Sequence, residues 1–124
     1  MDKKRILIVD DEAGFTHLLK LTLEKTGNYS VCEVNDGTLA HEKAREFKPD
    51  LIFLDIVMPK IDGGDVASQI KADPVLASAR IVFLTAIVSK QEAAGGSLIG
   101  GFPFLAKPVT LEAVMQCIDE TLAK

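Results

Sequence analysis

Three short runs constrain this chain most: Ile6-Leu7-Ile8-Val9, Leu51-Ile52-Phe53-Leu54 and Ile81-Val82-Phe83-Leu84. Each is apolar at every position. A strand with one wet face alternates apolar and polar residues, whereas a strand covered on both faces does not, so the three read as the interior of a parallel sheet. Each run stops at a polar residue, respectively Asp10, Asp55 and Thr85. Two weaker strands are expected over Tyr29 to Val34 and Phe102 to Leu105. Pro103 has no amide hydrogen to give a ladder, which places the last strand at a sheet edge.

Helical patterns fill the gaps. Phe15, Leu18, Leu19, Thr22 and Leu23 follow a 3.6-residue period, and Gly27 stands where a C-terminal cap belongs. A second helix is expected from Thr38 to Phe47, halted by Lys48-Pro49-Asp50. A third runs from about Asp65 to Ala72 with Val66 and Ile70 inward, and Asp73-Pro74 ends it. The last opens at Thr110 as N-cap and repeats Leu111, Val114, Met115, Ile118 and Leu122. Between Ser89 and Phe102 a further helix is needed, yet residues 93–101 hold four of the nine glycines. Each interior glycine costs about 1 kcal/mol against alanine, so that helix is expected to be short, frayed or mobile.

Strands alternating with helices at this spacing imply right-handed βαβ units. The expected fold is α/β: a doubly wound five-stranded parallel sheet in the order 2-1-3-4-5, with helices on both faces. At 124 residues the chain reads as one domain, 1–124, with nothing left over for an output module. Hydrophobic residues make up 48% and charged residues 26%, which excludes intrinsic disorder. The net charge of −4 argues against nucleic acid or an anionic membrane as the main partner. Cys32 and Cys117 lie far apart, show no metal-ligand spacing and read as buried small hydrophobes of a reducing compartment. No apolar stretch reaches the ~7–15 residues of a secretory signal or the ~18 of a membrane span, so a cytoplasmic location is expected.

In an open α/β sheet, ligands bind outside the carboxyl ends of the strands, where the strand order reverses. For order 2-1-3-4-5 that crevice lies between the first and third strands, and it should gather Asp10, Asp11 and Asp55. Like charges at ~4 Å repel by about 4 kcal/mol at an effective dielectric of 20, so such a cluster calls for a cation. Oxygen-only ligands suit magnesium, or manganese in its place. Thr85 can offer a hydroxyl to the same crevice, and Lys107 an ammonium that reaches an anion. Carboxylates, cation, hydroxyl and ammonium are the equipment for phosphoryl transfer to a carboxylate.

Asp10-Asp11-Glu12 follows the first strand, Asp55-Ile56-Val57-Met58-Pro59 with Asp62-Gly63 the third, Thr85-Ala86 the fourth and Lys107-Pro108 the fifth. Together they resemble the receiver domain of bacterial response regulators, the CheY-like family. The resemblance implies that Asp55 takes a phosphoryl group from a sensor histidine kinase or a histidine phosphotransfer protein. It implies that Asp11, Asp55 and the Val57 carbonyl bind magnesium directly while Asp10 holds it through water. Lys107 would pair with phosphoryl oxygens, and the Lys107-Pro108 bond would be cis. Thr85 and Phe104 match the family's switch pair, changing a face of fourth helix, fifth strand and fifth helix that docks a downstream protein or a second copy of the chain.

Other readings compete. A magnesium-dependent phosphatase using an aspartyl phosphate would want a second Asp two residues after the nucleophile, where Val57 stands. A flavodoxin-like nucleotide binder would want a Gly/Ser/Thr-rich phosphate loop after the first strand, where carboxylates stand. A degenerate receiver, serving only as an interaction surface, would lack pocket residues that are all present here. Val57 and Ile87 occupy places where receivers often carry polar side chains that orient a water, so slow self-dephosphorylation is expected. Asp62 and Asp65 read as turn and first-turn residues, and His17 and His41 as solvated side chains away from the pocket.

Overall fold

The computed structural model describes residues 3–86, 98–99 and 101–123. Five strands form one parallel sheet: β1 (Lys4–Val9), β2 (Tyr29–Val34), β3 (Leu51–Asp55), β4 (Arg80–Thr85) and β5 (Phe104–Ala106). Their order is β2-β1-β3-β4-β5, the doubly wound arrangement expected. Every residue of β3 is buried, as are Ile6 to Val9 of β1 and Ile81 to Thr85 of β4. The uninterrupted apolar runs therefore mark strands covered on both faces.

Helices α1 (Ala13–Lys25), α2 (Ala40–Phe47) and α3 (Gly63–Lys71) and a C-terminal helix (Leu111–Leu122) cover the sheet. One core gathers Leu7, Val9, Ile52, Leu54, Ile81 and Phe83 with α2 and α3. The other gathers Ile6, Ile8, Leu51, Phe53, Val82 and Leu84 with α1 and the C-terminal helix. Alternate residues of one strand thus serve opposite cores, as the pleat requires. Thr110 caps the C-terminal helix, its hydroxyl accepting from the Ala113 amide at 3.0 Å.

Several boundaries differ from the sequence expectation. β5 begins at Phe104 rather than Phe102: Pro103 has no amide to donate and enters the ladder only through its carbonyl, which accepts from the Phe83 amide at 2.9 Å, while Phe102 bridges Ile99 in antiparallel fashion. The second helix is preceded by a 3-10 turn, Gly37–Leu39, with the Asp36 side chain capping the Thr38 amide. On α1 the buried stripe is Thr16, Leu19 and Leu23, and Leu18 is 67% exposed rather than inward. A hydropathy pattern discounts Thr16, but its hydroxyl finds acceptors inside and the residue is fully buried. Cys32 and Cys117 are free thiols, half-buried rather than buried. The expected helix over Ser89 to Phe102 falls almost entirely outside the described residues. Among the described residues no helix is long and apolar enough to cross a membrane.

Candidate metal and phosphoryl site

The carboxyl ends of the central strands meet at one rim. Val9 pairs with Leu54 and Asp55 with Leu84, so Asp10, Asp55 and Thr85 leave neighbouring strands at nearly the same level. Lys107 follows β5, and its amide donates to the Thr85 carbonyl at 2.9 Å. The Lys107-Pro108 peptide is cis. Asp10, Asp11 and Asp55 each offer a carboxylate oxygen within 4.8 Å of the others. The sequence-predicted acidic residues are thus brought together.

Asp10 is fully buried, and both of its oxygens have partners. One accepts from the Glu12 amide at 2.9 Å, the other from Lys107 Nζ at 2.5 Å. That ammonium also reaches Glu12 Oε1 at 3.0 Å and lies 3.9 Å from Asp55 Oδ1 and 5.0 Å from the centre of the Phe15 ring. Burial alone would depress the Lys107 pKa, but hydrogen bonds to Asp10 and Glu12, with the charges of Asp10 and Asp55, raise it overall. The lysine therefore stays an ammonium at neutral pH. The sequence places Glu12 in the acidic motif after β1 and Phe15 on the apolar stripe of the following helix, but it does not announce that both meet Lys107. Their position at the N-cap and in the first turn of α1, beside the strand-end carboxylates, is the signal that points to it.

Asp55 shows how far the charge remains unbalanced. Its pKa is raised to about 6, first by burial and then by the Asp10 charge. Lys107 and a hydrogen bond from the Val57 amide pull the other way without cancelling this. Among the described residues Asp10, Asp11, Glu12 and Asp55 gather about the single ammonium of Lys107, so a divalent cation suits the pocket electrostatically. The oxygens are hard donors, and those of Asp10, Asp11 and Asp55 lie within 4.8 Å of one another, near enough to converge on a single ion. Magnesium fits these residues.

Gly63 sets the floor of the site. Its amide donates to the Ile56 carbonyl at 2.7 Å, and a Cβ there would stand 2.4 Å from the Asp55 carbonyl oxygen. Backbone atoms cannot withdraw as a flexible side chain does. Gly63→Ala is expected to lower stability by about 2 kcal/mol, the middle of the range for overpacking. Urea denaturation checks this, and an unchanged midpoint would mean the loop after Asp55 yields freely.

Thr85 is 1% exposed. Phe83 pairs with Phe104 and Thr85 with Ala106, so Thr85 and Phe104 project from the same face of the sheet. Phe104 is half-buried against the α2–α3 core. The Val57 side chain is 55% exposed, two residues beyond Asp55. Asp62 caps α3 by accepting from the Asp65 amide at 2.9 Å, as its turn reading anticipated.

Neither histidine is simply solvated. His17 Nδ1 lies 3.1 Å from Glu33, and His41 Nε2 lies 2.8 Å from Asp73, which also takes Arg45 at 2.7 Å. The His41 bond, aided by the Val75 amide and by Arg45, holds the Asp73 carboxyl below its usual range against the opposing effect of burial. This cluster ties α2 to the connection after α3.

Fold and site together define a doubly wound α/β module with an acidic, lysine-bridged pocket at its switch point. A family model described as the response regulator receiver domain matches residues 6–119. The chain belongs to that family, the receiver domains of two-component signalling. It is 36% identical over 118 residues to the chemotaxis protein CheY of Bacillus subtilis, covering 95% of this chain and 97% of that protein. It is also 34% identical to the DNA-binding transcriptional regulator RpaA of Synechocystis, covering 97% of this chain but only 49% of RpaA. Among solved structures, a putative response regulator from Chloroflexus aurantiacus superposes with a TM-score of 0.83 at 27% identity, covering 99% of this chain and all of that one.

Proposed function

We propose that Asp55 is the phosphoacceptor and that the donor is a phosphohistidine on a sensor histidine kinase or histidine phosphotransfer protein of the cytoplasm. The observation that carries this reading is the position of Asp55: last in β3, buried, close to Asp10 and Asp11 and 3.9 Å from an ammonium. Asp55 attacks in line, the O–P bond forms as the N–P bond to imidazole breaks, and the imidazole leaves. Lys107 turns from Asp10 toward the arriving phosphoryl oxygens. Asp11, Asp55 and the Val57 carbonyl would hold magnesium directly and Asp10 through water. The ion, when bound, supplies neutralising charge for those oxygens.

The phosphoryl group adds between about −1.5 and −2 charge. Thr85, at the end of the adjacent strand, re-aims its hydroxyl toward that charge, and Phe104 on the same sheet face follows inward. The face that includes β5 and the C-terminal helix then changes affinity for a downstream protein or a second copy of the chain. This is a signalling module rather than an enzyme. Val57 stands where a phosphatase of this chemistry would carry its acid. Its apolar side chain shields the acyl phosphate, together with Ile87, which lies outside the described residues.

Incubation with acetyl phosphate and magnesium, followed by intact mass, tests the assignment. Wild type should gain roughly 80 Da, one phosphoryl unit, and Asp55→Asn should gain nothing. No adduct on wild type from acetyl phosphate or from a phosphorylated phosphotransfer protein overturns the reading. The same adduct should decay more slowly than in a Val57→Asn, Ile87→Glu variant, and equal decay removes the shielding role.

A further inference from the structure

Asn35 stands one residue beyond β2, outside the acidic cluster, yet its side chain is tied to it. The β1–β2 ladder ends with the pair Val9 and Val34, after which the Asp10 amide donates to the Val34 carbonyl at 3.0 Å. One step further, as the chain turns into the Gly37–Leu39 helix, the Asn35 side-chain amide donates to the Asp10 carbonyl at 2.9 Å. A carbonyl can only accept, which fixes the orientation of that amide. Its nitrogen also donates to Thr16 Oγ1 at 2.8 Å.

Thr16 is fully buried on α1 and donates in turn to Glu33 Oε2 at 2.8 Å. The other oxygen of Glu33 lies 3.1 Å from His17 Nδ1. The His17 hydrogen bond, with that of Thr16 against partial burial, holds the Glu33 carboxyl below its usual range, so it remains an acceptor at neutral pH. A continuous chain of bonds therefore runs from the surface of α1 through β2 to the backbone of Asp10.

The Asp10 carbonyl belongs to the peptide plane that joins Asp10 to Asp11. Holding that oxygen restricts ψ of Asp10 and φ of Asp11, and these two angles fix how the two residues sit relative to each other and so from where each carboxylate starts. We infer that Asn35, backed by Thr16 and Glu33, is a positioning residue that holds the Asp10–Asp11 peptide so that both carboxylates face Asp55 and its cation. The inference rests on the reading of this pocket as a magnesium site for phosphoryl transfer. Asn35 touches neither the metal nor the phosphoryl group. Its effect is on the direction of the groups that do.

Outer partners of metal ligands are typically worth 10–100-fold in affinity. Asn35 acts through backbone rather than on a ligand atom, so Asn35→Ala should weaken magnesium binding by about 10-fold, and Thr16→Val, one link further out, by less. Calorimetric titration with magnesium and spin resonance with manganese read this directly. Labelling by acetyl phosphate should slow in Asn35→Ala at limiting magnesium and return to the wild-type rate at saturation. Thr110→Ala, which removes the distant cap of the C-terminal helix, supplies a destabilised control that should bind metal as wild type does. Equal magnesium affinity in wild type and Asn35→Ala overturns the inference alone. So does an equal loss in Thr110→Ala, which would mark the effect as one of general stability. A wild type that binds no metal and takes no phosphoryl group overturns the underlying reading, and this one with it.

Discussion

Replacing Asp55 by asparagine is expected to stabilise the metal-free protein by about 2–3 kcal/mol at pH 7. The folded state raises the Asp55 pKa from 3.8 to about 6, first by burial and next by the charge of Asp10. A raised carboxyl pKa means that the native state holds the proton more tightly than the unfolded chain does. That contribution is fully present below the ordinary value of 3.8 and is lost as the pH climbs to about 6. Above that range the ionised carboxylate is a constant penalty, about two pKa units at ~1.4 kcal/mol each. Asparagine keeps the shape and carries no charge, so the penalty disappears. Urea denaturation in chelator should show a wide gap between variant and wild type at pH 7 and a narrow one at pH 4. Magnesium should close the gap at pH 7 by stabilising wild type more than the variant. A gap of the same size at both pH values would show that the charge of Asp55 is not its cause.

Lys107→Met is expected to act in the opposite direction, costing the metal-free protein about 3 kcal/mol, the lower end for breaking a buried ion pair. Methionine keeps much of the length and packing but removes the cation. One oxygen of fully buried Asp10 then loses its partner, and Asp55 loses the attraction that partly offsets Asp10. The lower end applies because Glu12, the third member, is exposed and can turn to water. Magnesium supplies the missing positive charge, and a ligand at 100 times its Kd adds about 2.7 kcal/mol of stability. The variant should therefore gain more from saturating magnesium than wild type does. Equal destabilisation with and without magnesium would assign the loss to packing against Phe15 instead of charge.

Parts of this pocket are legible from residues alone. Asp10, Asp55, Thr85 and Lys107 could be placed because each ends or follows a core strand, and parallel strands deliver their ends to one rim. Local pattern carries that kind of information. It does not carry partnership across the fold. Nothing in the order of residues announces that Glu12 shares the ammonium of Lys107 across 95 positions, or that His41 and Arg45 converge on Asp73. Asn35 was hidden by its context, since Asn-Asp-Gly after a strand reads as a turn and nothing more. Gly63 carried a visible motif, but only the structure shows that its missing Cβ makes room for the Asp55 carbonyl. Leu18 misled for the converse reason. An apolar side chain at helical spacing is expected to face inward, while the inward position belongs to hydrogen-bonded Thr16.

The sheet is also a partition. Leu7, Ile52 and Ile81 serve the α2–α3 side, while Ile6, Phe53 and Val82 serve the side of α1 and the C-terminal helix. Side chains on opposite faces of a sheet do not touch, and substitutions without shared contacts act nearly independently. A change that repacks the region around Phe104 therefore leaves the packing of α1 almost untouched, and the reverse holds. Each side is free to drift under its own selection, while both remain bound to the few strand-end residues at the rim. In a lineage of such chains, binding surfaces can diversify two at a time around chemistry that stays still.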